Sequence, residues 1–351
     1  MDVKFFSAFI ADRLRSAIRA LKVKSSLLHM IKSLHQCRSL FELRKAFNTD
    51  LICRQYLEIM LWDGASVCPH CATSDKIYKL KNPKLYKCGH CRKQFTVTVG
   101  TIFHGTHVPL NKWFEAIWCV TNKAKGIAST QLADEIGVQQ RTAWFMLGRI
   151  RFALKQKSFM ASPESIVEVD ATFVGPRAQN MHEYTRWKLQ RKTERKKRFD
   201  PAETHTAVFG MIERGGKVKT VVVEGERKKI TQKLIDRHIE PGATIYSDGH
   251  RAYKKLSQEG YTHDFVSHQK GQYVKNKGTV HINSIEGYWG LFKRGYIGVS
   301  HHMSDKHLQS YFNEYDFRHN HKKLPKLAKL DEVLKKAFGG ITYKQLTQKV
   351  A

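Results

Sequence analysis

Two Cys-x-x-Cys pairs, Cys68-Pro-His-Cys71 and Cys88-Gly-His-Cys91, stand sixteen residues apart and restrict what the chain around them can become. Thiolates two residues apart clasp one side of a tetrahedral ion, and two such clasps at this separation close a four-sulfur zinc site. Between them KIYKL and KLYKC alternate as short strands, and QFTVTVGTIF follows as another, which predicts a small ribbon. A module of that size has little core, so the metal supplies much of its folding free energy. With all four positions filled by sulfur the zinc is expected to be structural, because a catalytic zinc keeps one position open. Cys37, Cys53 and Cys119 lie among apolar residues and read as core. An odd total of seven cysteines, four of them in metal spacing, points to a reducing compartment, and we expect the cytoplasm, at the nucleoid if the source is bacterial.

The charge balance narrows the partners. Lys and Arg number 61 against 31 Asp and Glu, a net charge of +30 and a pI near 9.9. That is far beyond what solubility asks for and predicts attraction to a polyanion such as nucleic acid. A hydrophobic fraction of 41% over 351 residues is enough for a sizeable core. No apolar run approaches the roughly 18 residues that a membrane-crossing helix needs. The N-terminal MDVKFFSAFIADRLRSAIRALKVK breaks its short apolar runs with charge, and reads as an additional helix rather than a secretory signal.

Along the chain, residues 1–62 read as helical, from the apolar spacing of LFELRKAF and LICRQYLEIMLW. The zinc ribbon takes 63–104. Residues 105–160 are helical again: WFEAIWCVT is one amphipathic segment, and QLADEI, Gly137 and RTAWFMLGRIR read as a helix-turn-helix with Ser129 or Thr130 as cap. Gln139, Gln140, Arg141 and Arg149 would then approach DNA. Residues 161–325 change to strands, IVEVDATFVG, HTAVFGMIERGG and KVKTVVVEG. ITQKLIDRHI follows as a helix, ATIYSDG as a strand, AYKKLSQEG as a helix and HDFVSH as a strand. Three meandering strands followed by alternating helix and strand predict an α/β domain with a mixed sheet, in the order of an RNase H-like fold. Between the first two strands lies TRWKLQRKTERKKRFD, whose Lys188, Arg191, Lys192, Lys196 and Lys197 are placed to contact DNA phosphates. Residues 326–351 form a helical tail without identifiable chemistry.

Three acids carry the candidate chemistry. Asp170 ends the apolar run IVEVD, Asp248 follows ATIYS just before Gly249, and Glu286 lies in HINSIEGYWGLFKRGYIG. Wound as a helix, that stretch puts Asn283, Glu286, Gly290 and Lys293 in one wedge beside the apolar stripe Ile282, Ile285, Trp289, Phe292 and Tyr296. Phosphodiester transfer needs one oxygen activated and another stabilised as it leaves, which a pair of divalent ions does, and magnesium or manganese prefers such hard carboxylate ligands. Asp170 would anchor the ions, with Asp248 and Glu286 completing either side. Lys293, with Arg294 beside it, would contact a phosphate; Asn283 would assist a metal-bound water or position Glu286. Trp289 reads as core.

EVDATFVG, YSDGHRAY and HINSIEGYWGLFKRGYIGVSHHMS, following a zinc ribbon and a helix-turn-helix, resemble the insertion-sequence transposases of the DDE class in bacteria, within them the ISXO-two-like group, over roughly residues 40 to 325. The resemblance implies a cut that frees a 3′ hydroxyl at the element's end and its transfer to target DNA, by a homo-oligomer on double-stranded inverted repeats. It assigns Asp170, Asp248 and Glu286 as the metal-binding triad and Lys293 as their basic companion. Two other readings of the same residues remain open: a sequence-specific DNA-binding protein whose α/β domain is idle, and a nuclease that only hydrolyses.

Overall fold

The computed structural model describes residues 37–62, 65–155, 159–175, 183–184, 187, 191, 205–224, 228–253 and 255–348. The chain divides into two compact units. The first combines described residues up to Lys123 with Ile127–Leu154 and Lys323–Gln348; the second is essentially Lys155–Lys322.

In the first unit, α1 (Leu40–Ala46) starts at a capping box in which Ser39 and Glu42 satisfy each other's backbone N–H groups. It is followed by α2 (Asp50–Trp62) and α3 (Leu110–Asn122). Phe47, Tyr56 and Phe114 meet edge to face in their shared core, with Phe47 5.0 Å from each of the other two ring centroids. The pair α4 (Ser129–Ile136) and α5 (Gln140–Ala153) turns at Gly137, whose left-handed backbone (φ 62°) suits a residue without a Cβ. Its N-cap is Ala128 rather than the expected Ser129 or Thr130; the Ser129 hydroxyl instead accepts from the Gln140 amide at 2.8 Å. The C-terminal segment, expected as a tail, folds back into this unit. Its helix α9 (Lys326–Lys335) packs on α2 and α3, and Tyr56 donates to Asp331 at 2.7 Å. The short α10 (Tyr343–Thr347) lies against α5.

The ribbon, also in the first unit, is an antiparallel sheet of β1 (Ile77–Lys79), β2 (Tyr86–Cys88) and β3 (Gln94–Phe95). The third strand is far shorter than QFTVTVGTIF suggested. After Phe95 the threonines bond locally, Thr96 to Thr98 and Thr101 back to the Thr98 carbonyl, and these turns compete with the ladder.

The second unit is built on a five-stranded mixed sheet in the order β6-β5-β4-β7-β8. Its strands are β4 (Ile166–Val174), β5 (Thr206–Glu213), β6 (Val218–Val223), β7 (Thr244–Ser247) and β8 (Thr262–Phe265). β4 to β6 form an antiparallel meander, whereas β7 and β8 run parallel to β4. One face is covered by α6 (Lys228–His238), with Ile235, Ile239 and Tyr253 in the core beneath. The expected helix over AYKKLSQEG is two single 3-10 turns instead, in which burial of Ala252, Tyr253 and Leu256 against the sheet overrides the helical spacing. The other face is covered by α7 (Asn283–Gly295) and α8 (Asp305–Asn320), through Ile285, Trp289, Phe292 and Phe312.

α8 also closes the edge of the sheet. Val218, Thr220 and Val222 turn their backbone polar groups outward from β6 and would template pairing with another chain. Asn320 accepts from Val218 N–H at 2.7 Å, Asp316 from Thr220 N–H at 3.0 Å and Gln309 from Val222 N–H at 2.8 Å. Asn320 and Gln309 also donate to the Val218 and Thr220 carbonyls. Asp316 accepts from the Tyr288 hydroxyl of α7 as well, at 2.7 Å.

Burial pushes the Asp316 carboxyl up from 3.8 to about 7, against the lowering pull of its hydrogen bonds. A carboxyl whose folded value is raised holds its proton longer in the folded state, so its stabilisation is complete below about pH 4 and declines as pH rises toward about 7. Asp316→Asn keeps the shape and loses the titration. Denaturant unfolding between pH 4 and 8 is expected to show a downward slope in the parent that is shallower in the variant.

Candidate active site and zinc centre

The four cysteine thiols of the ribbon converge, with their sulfur atoms all within 4.8 Å of one another. Cys68 and Cys91 are 3.6 Å apart and Cys71 and Cys88 3.7 Å. Each Cys-x-x-Cys is followed by a residue in the left-handed region, Ala72 (φ 58°) and Arg92 (φ 59°), which curls the backbone around its thiols. The Cys91 N–H donates to the Cys88 sulfur at 3.5 Å and lowers that thiol's pKa, which favours the thiolate a metal requires. An all-sulfur set with no open corner fits a structural zinc ion. Cys37, Cys53 and Cys119 are buried elsewhere, and burial raises all three thiols, as for inert core cysteines.

The acids of the second unit are delivered by its sheet and by one helix. Asp170 lies in β4 opposite Gly210 of β5. On the other side of β4 the parallel register ends with Glu168 opposite Tyr246, and Asp170 and Asp248 each follow two residues later. By the two-residue period Asp170 points to the same face as Glu168, and Asp248 stands just past the end of the neighbouring parallel strand β7. Asp248 closes a local turn by accepting from the His250 N–H at 2.9 Å.

α7 lies across that face, and its apolar stripe is where the sequence placed it: Ile285, Trp289 and Phe292 are buried. Trp289 is more than core. Its indole N–H donates to the Asp170 carboxylate at 3.0 Å and ties the helix to the first acid. The indole fits only because residue 210 is glycine, since a Cβ there would come within 2.5 Å of the ring. Glu286, one turn earlier, is half exposed, and its carboxylate is 3.4 Å from the His268 ring. Asn283 and Lys293 are exposed on the face of Glu286, with Arg294 beside them. Among the described residues, only the four thiols form a cluster of three or more metal-ligand atoms within 4.8 Å. Asp170, Asp248 and Glu286 are thus carried by β4, the end of β7 and α7, and do not form a closed ligand set.

A fourth acid escaped the sequence reading. Glu168, fully buried in β4 on the face of Asp170, accepts from the backbone N–H groups of Ser284 (2.8 Å) and Ile285 (3.0 Å), the Ser284 hydroxyl (3.1 Å) and Arg214 Nε (2.9 Å). The signal in the sequence was the alternation Val167-Glu168-Val169-Asp170, which puts Glu168 on the face of Asp170 without showing what it meets there.

Of the residues expected at DNA, Gln139, Gln140 and Arg141 are exposed at the start of α5. Arg149 is engaged within its own unit: its guanidinium donates to the carbonyls of Ile102, His104 and Ile341 and lies over Phe145, and burial lowers its pKa. The Arg191 guanidinium covers the Trp187 ring, which stacks on Tyr184. Lys188, Lys192, Lys196 and Lys197 lie outside the described residues, as do residues 1–36.

Comparison with known proteins agrees with this layout. Residues 164–320 match the ISXO2-like transposase domain, and residues 48–94 match the transposase zinc-ribbon domain. The chain belongs to the ISXO2-like transposase family. It is also 27% identical, over 304 residues, to an uncharacterized protein in the transposable element ISH50 of Halobacterium salinarum, a match that spans 84% of this chain and 99% of that protein. No helix among the described residues of this family member is long and apolar enough to cross a membrane.

Two outcomes check the geometry. Cys71→Ser is expected to lower bound zinc well below the parent's content by atomic emission, and to speed amide exchange over residues 65–99. Gly210→Ala drives a methyl into the Trp289 ring, an overpacking that costs about 1–3 kcal/mol; thermal unfolding is expected at a midpoint lower by a few degrees.

Proposed function

We propose that the protein is a DNA transposase that cleaves the ends of its element and joins them to target DNA, with Asp170, Asp248 and Glu286 as the acids of one metal-dependent site. The observation that carries this reading is that Asp170 in β4 and Asp248, just past the end of the adjacent parallel β7, are carried by neighbouring strands, with the helix of Glu286 bonded to the first through Trp289. The sheet order, a three-stranded meander continued by two parallel strands, supports an RNase H-like assignment of the second unit. The match to a transposase domain over the whole of this sheet and all three covering helices supports the activity.

In the first reaction water attacks a phosphodiester at the element's end, one P–O bond forms as another breaks, and a 3′ hydroxyl is freed. In the second that hydroxyl attacks a target phosphodiester, with the same exchange of bonds. Divalent cations held by the three carboxylates would activate the attacking oxygen and stabilise the leaving one. Donors of this kind, hard oxygens on separate elements, suit magnesium or manganese. The reading requires the Glu286 carboxylate to leave His268 for the shared centre. Lys293, seven residues beyond Glu286 on the same helical face, holds a phosphate next to the acids, with Arg294 adding charge. Asn283, at the exposed start of α7, orients a water or Glu286 itself.

DNA is held elsewhere too. The exposed Gln139, Gln140 and Arg141 suit a helix-turn-helix presented to the major groove. The net charge of +30 suits a backbone contact of broad extent, to which the basic segment with Arg191, Lys188, Lys192, Lys196 and Lys197 contributes. The zinc ribbon is structural, and paired inverted repeats call for a homo-oligomer. Free thiols and DNA as substrate fit the cytoplasm and its nucleoid.

The separation of the three acids favours, as a second reading, a DNA binder with an idle α/β unit. Strand transfer decides between them. With DNA carrying the element's ends and magnesium or manganese, the parent is expected to produce joined strands on a denaturing gel. Asp248→Ala is expected to lose about a hundredfold or more of that activity while still binding DNA. Metal-independent or absent cleavage in the parent refutes the catalytic reading, and hydrolysis without joining marks a nuclease.

A further inference from the structure

The carriers of the three acids meet at one buried ion pair that takes no part in the chemistry. α7 begins with backbone N–H groups that have no partner within the helix, and its N-cap, Ile282, has no side-chain hydrogen bond to offer them. Glu168 reaches across from β4 and accepts from two of them, Ser284 and Ile285, through one carboxylate oxygen. Its other oxygen takes the Ser284 hydroxyl and Arg214 Nε. Arg214, just past β5, spends its remaining donors on the carbonyls of Thr279 (2.7 Å) and His281 (2.8 Å), the segment leading into α7. Its guanidinium also lies 4.9 Å from the ring of Tyr246 in β7. The pair thereby touches the strand of Asp170 two residues before that acid, the strand of Asp248 two residues before that acid, and the helix of Glu286 at its first turn.

We propose that Glu168 and Arg214 are positioning residues that set the distance and angle of Glu286 relative to Asp170 and Asp248. The proposal rests on the reading of those acids as one metal site. A negative charge at a helix N-terminus is favoured by the helix dipole as well as by the free N–H groups, so the carboxylate both closes the helix and orients it. Hydrogen bonds of both carboxylate oxygens leave the helix start little freedom to slide along the strand. An apolar residue at 168 would fill the space without fixing the register of α7, and glutamine would present an amide N–H₂ to donors. Arg214 fixes the other side, because its fork holds the chain that enters the helix while its neutralising charge lets Glu168 remain buried.

The test is Glu168→Gln, nearly the same in shape, with Arg214→Lys carrying the same readouts if the first does not fold. Three measurements on the full-length protein are made: amide exchange over residues 282–288, the manganese concentration for half-maximal end cleavage, and the apparent kcat and KM for DNA. We expect exchange at Ser284 and Ile285 to speed up at least about tenfold, with the sheet amides unchanged. The manganese midpoint is expected to rise several-fold, and kcat to fall while KM for DNA holds. Mere loss of folded protein lowers the amplitude of cleavage and leaves the metal midpoint where it was. A folded Glu168→Gln with parental exchange at the helix start, or with faster exchange but a parental metal midpoint and rate, overturns the proposal. A parent that shows no metal-dependent cleavage, no more than Asp248→Ala, overturns the metal-site reading and this proposal with it. A parent that cleaves with manganese while Glu168→Gln matches it sinks the positioning role alone.

Discussion

A helix laid across a sheet must end its first turn somewhere, and in the second unit that end is met by a carboxylate from the centre of the sheet. Glu168 is fully buried, which costs several kcal/mol for a lone ion and is tolerable only with dense hydrogen bonding and a counter-charge. The Ser284 and Ile285 N–H groups, the Ser284 hydroxyl and Arg214 meet that demand together. The rest of the face follows from it. Once the start of α7 is held, the stripe Ile285, Trp289 and Phe292 falls on the sheet, and the indole reaches Asp170. Gly210, directly across the ladder from Asp170, provides the depth that the indole needs.

The ribbon and the α/β unit hold their strands together in different ways. The ribbon has only Tyr86, Phe95 and a few neighbours around its thiols, too little apolar area to hold three short strands by burial. Its order is bound up with the convergence of the four sulfur atoms. The α/β unit has two apolar layers, one on each face of its sheet, and spends polar side chains on its edge instead. Gln309, Asp316 and Asn320 repeat along α8 at helical spacing and satisfy alternate residues of β6, so the strand ends the sheet rather than inviting a further one.

Much of this was legible in the chain. The Cys-x-x-Cys spacing identified the ribbon because tetrahedral ligation allows few arrangements of four thiols. Alternating and continuous apolar runs located β4, β5, β6, β7 and β8, and the core of the α7 stripe, Ile285, Trp289 and Phe292, was read correctly, because periodicity is a local property. Tyr288 is buried as well, and Tyr296 lies past the helix end. Local rules also set the limits of that reading. The threonine-rich stretch after Phe95 looked like a strand and closes into turns, and AYKKLSQEG looked helical but forms two 3-10 turns packed on the sheet. Arg149 looked like a free cation and is spent on three carbonyls brought to it from distant parts of the chain.

The sequence by itself determined which residue types are available: four thiols in ligand spacing, three acids in or beside strand-like runs and on a helix border, and a large excess of positive charge. These follow from spacing and composition, which need no partner across the fold. Only the tertiary structure decided that the strands leading to Asp170 and Asp248 are parallel neighbours, since parallel pairing depends on a crossover that the chain does not announce. It alone showed Glu168 as the cap of a helix more than a hundred residues away, and Trp289 as the donor to Asp170. A hydrogen bond between remote residues is a property of the packed geometry, and no local pattern in either partner encodes it.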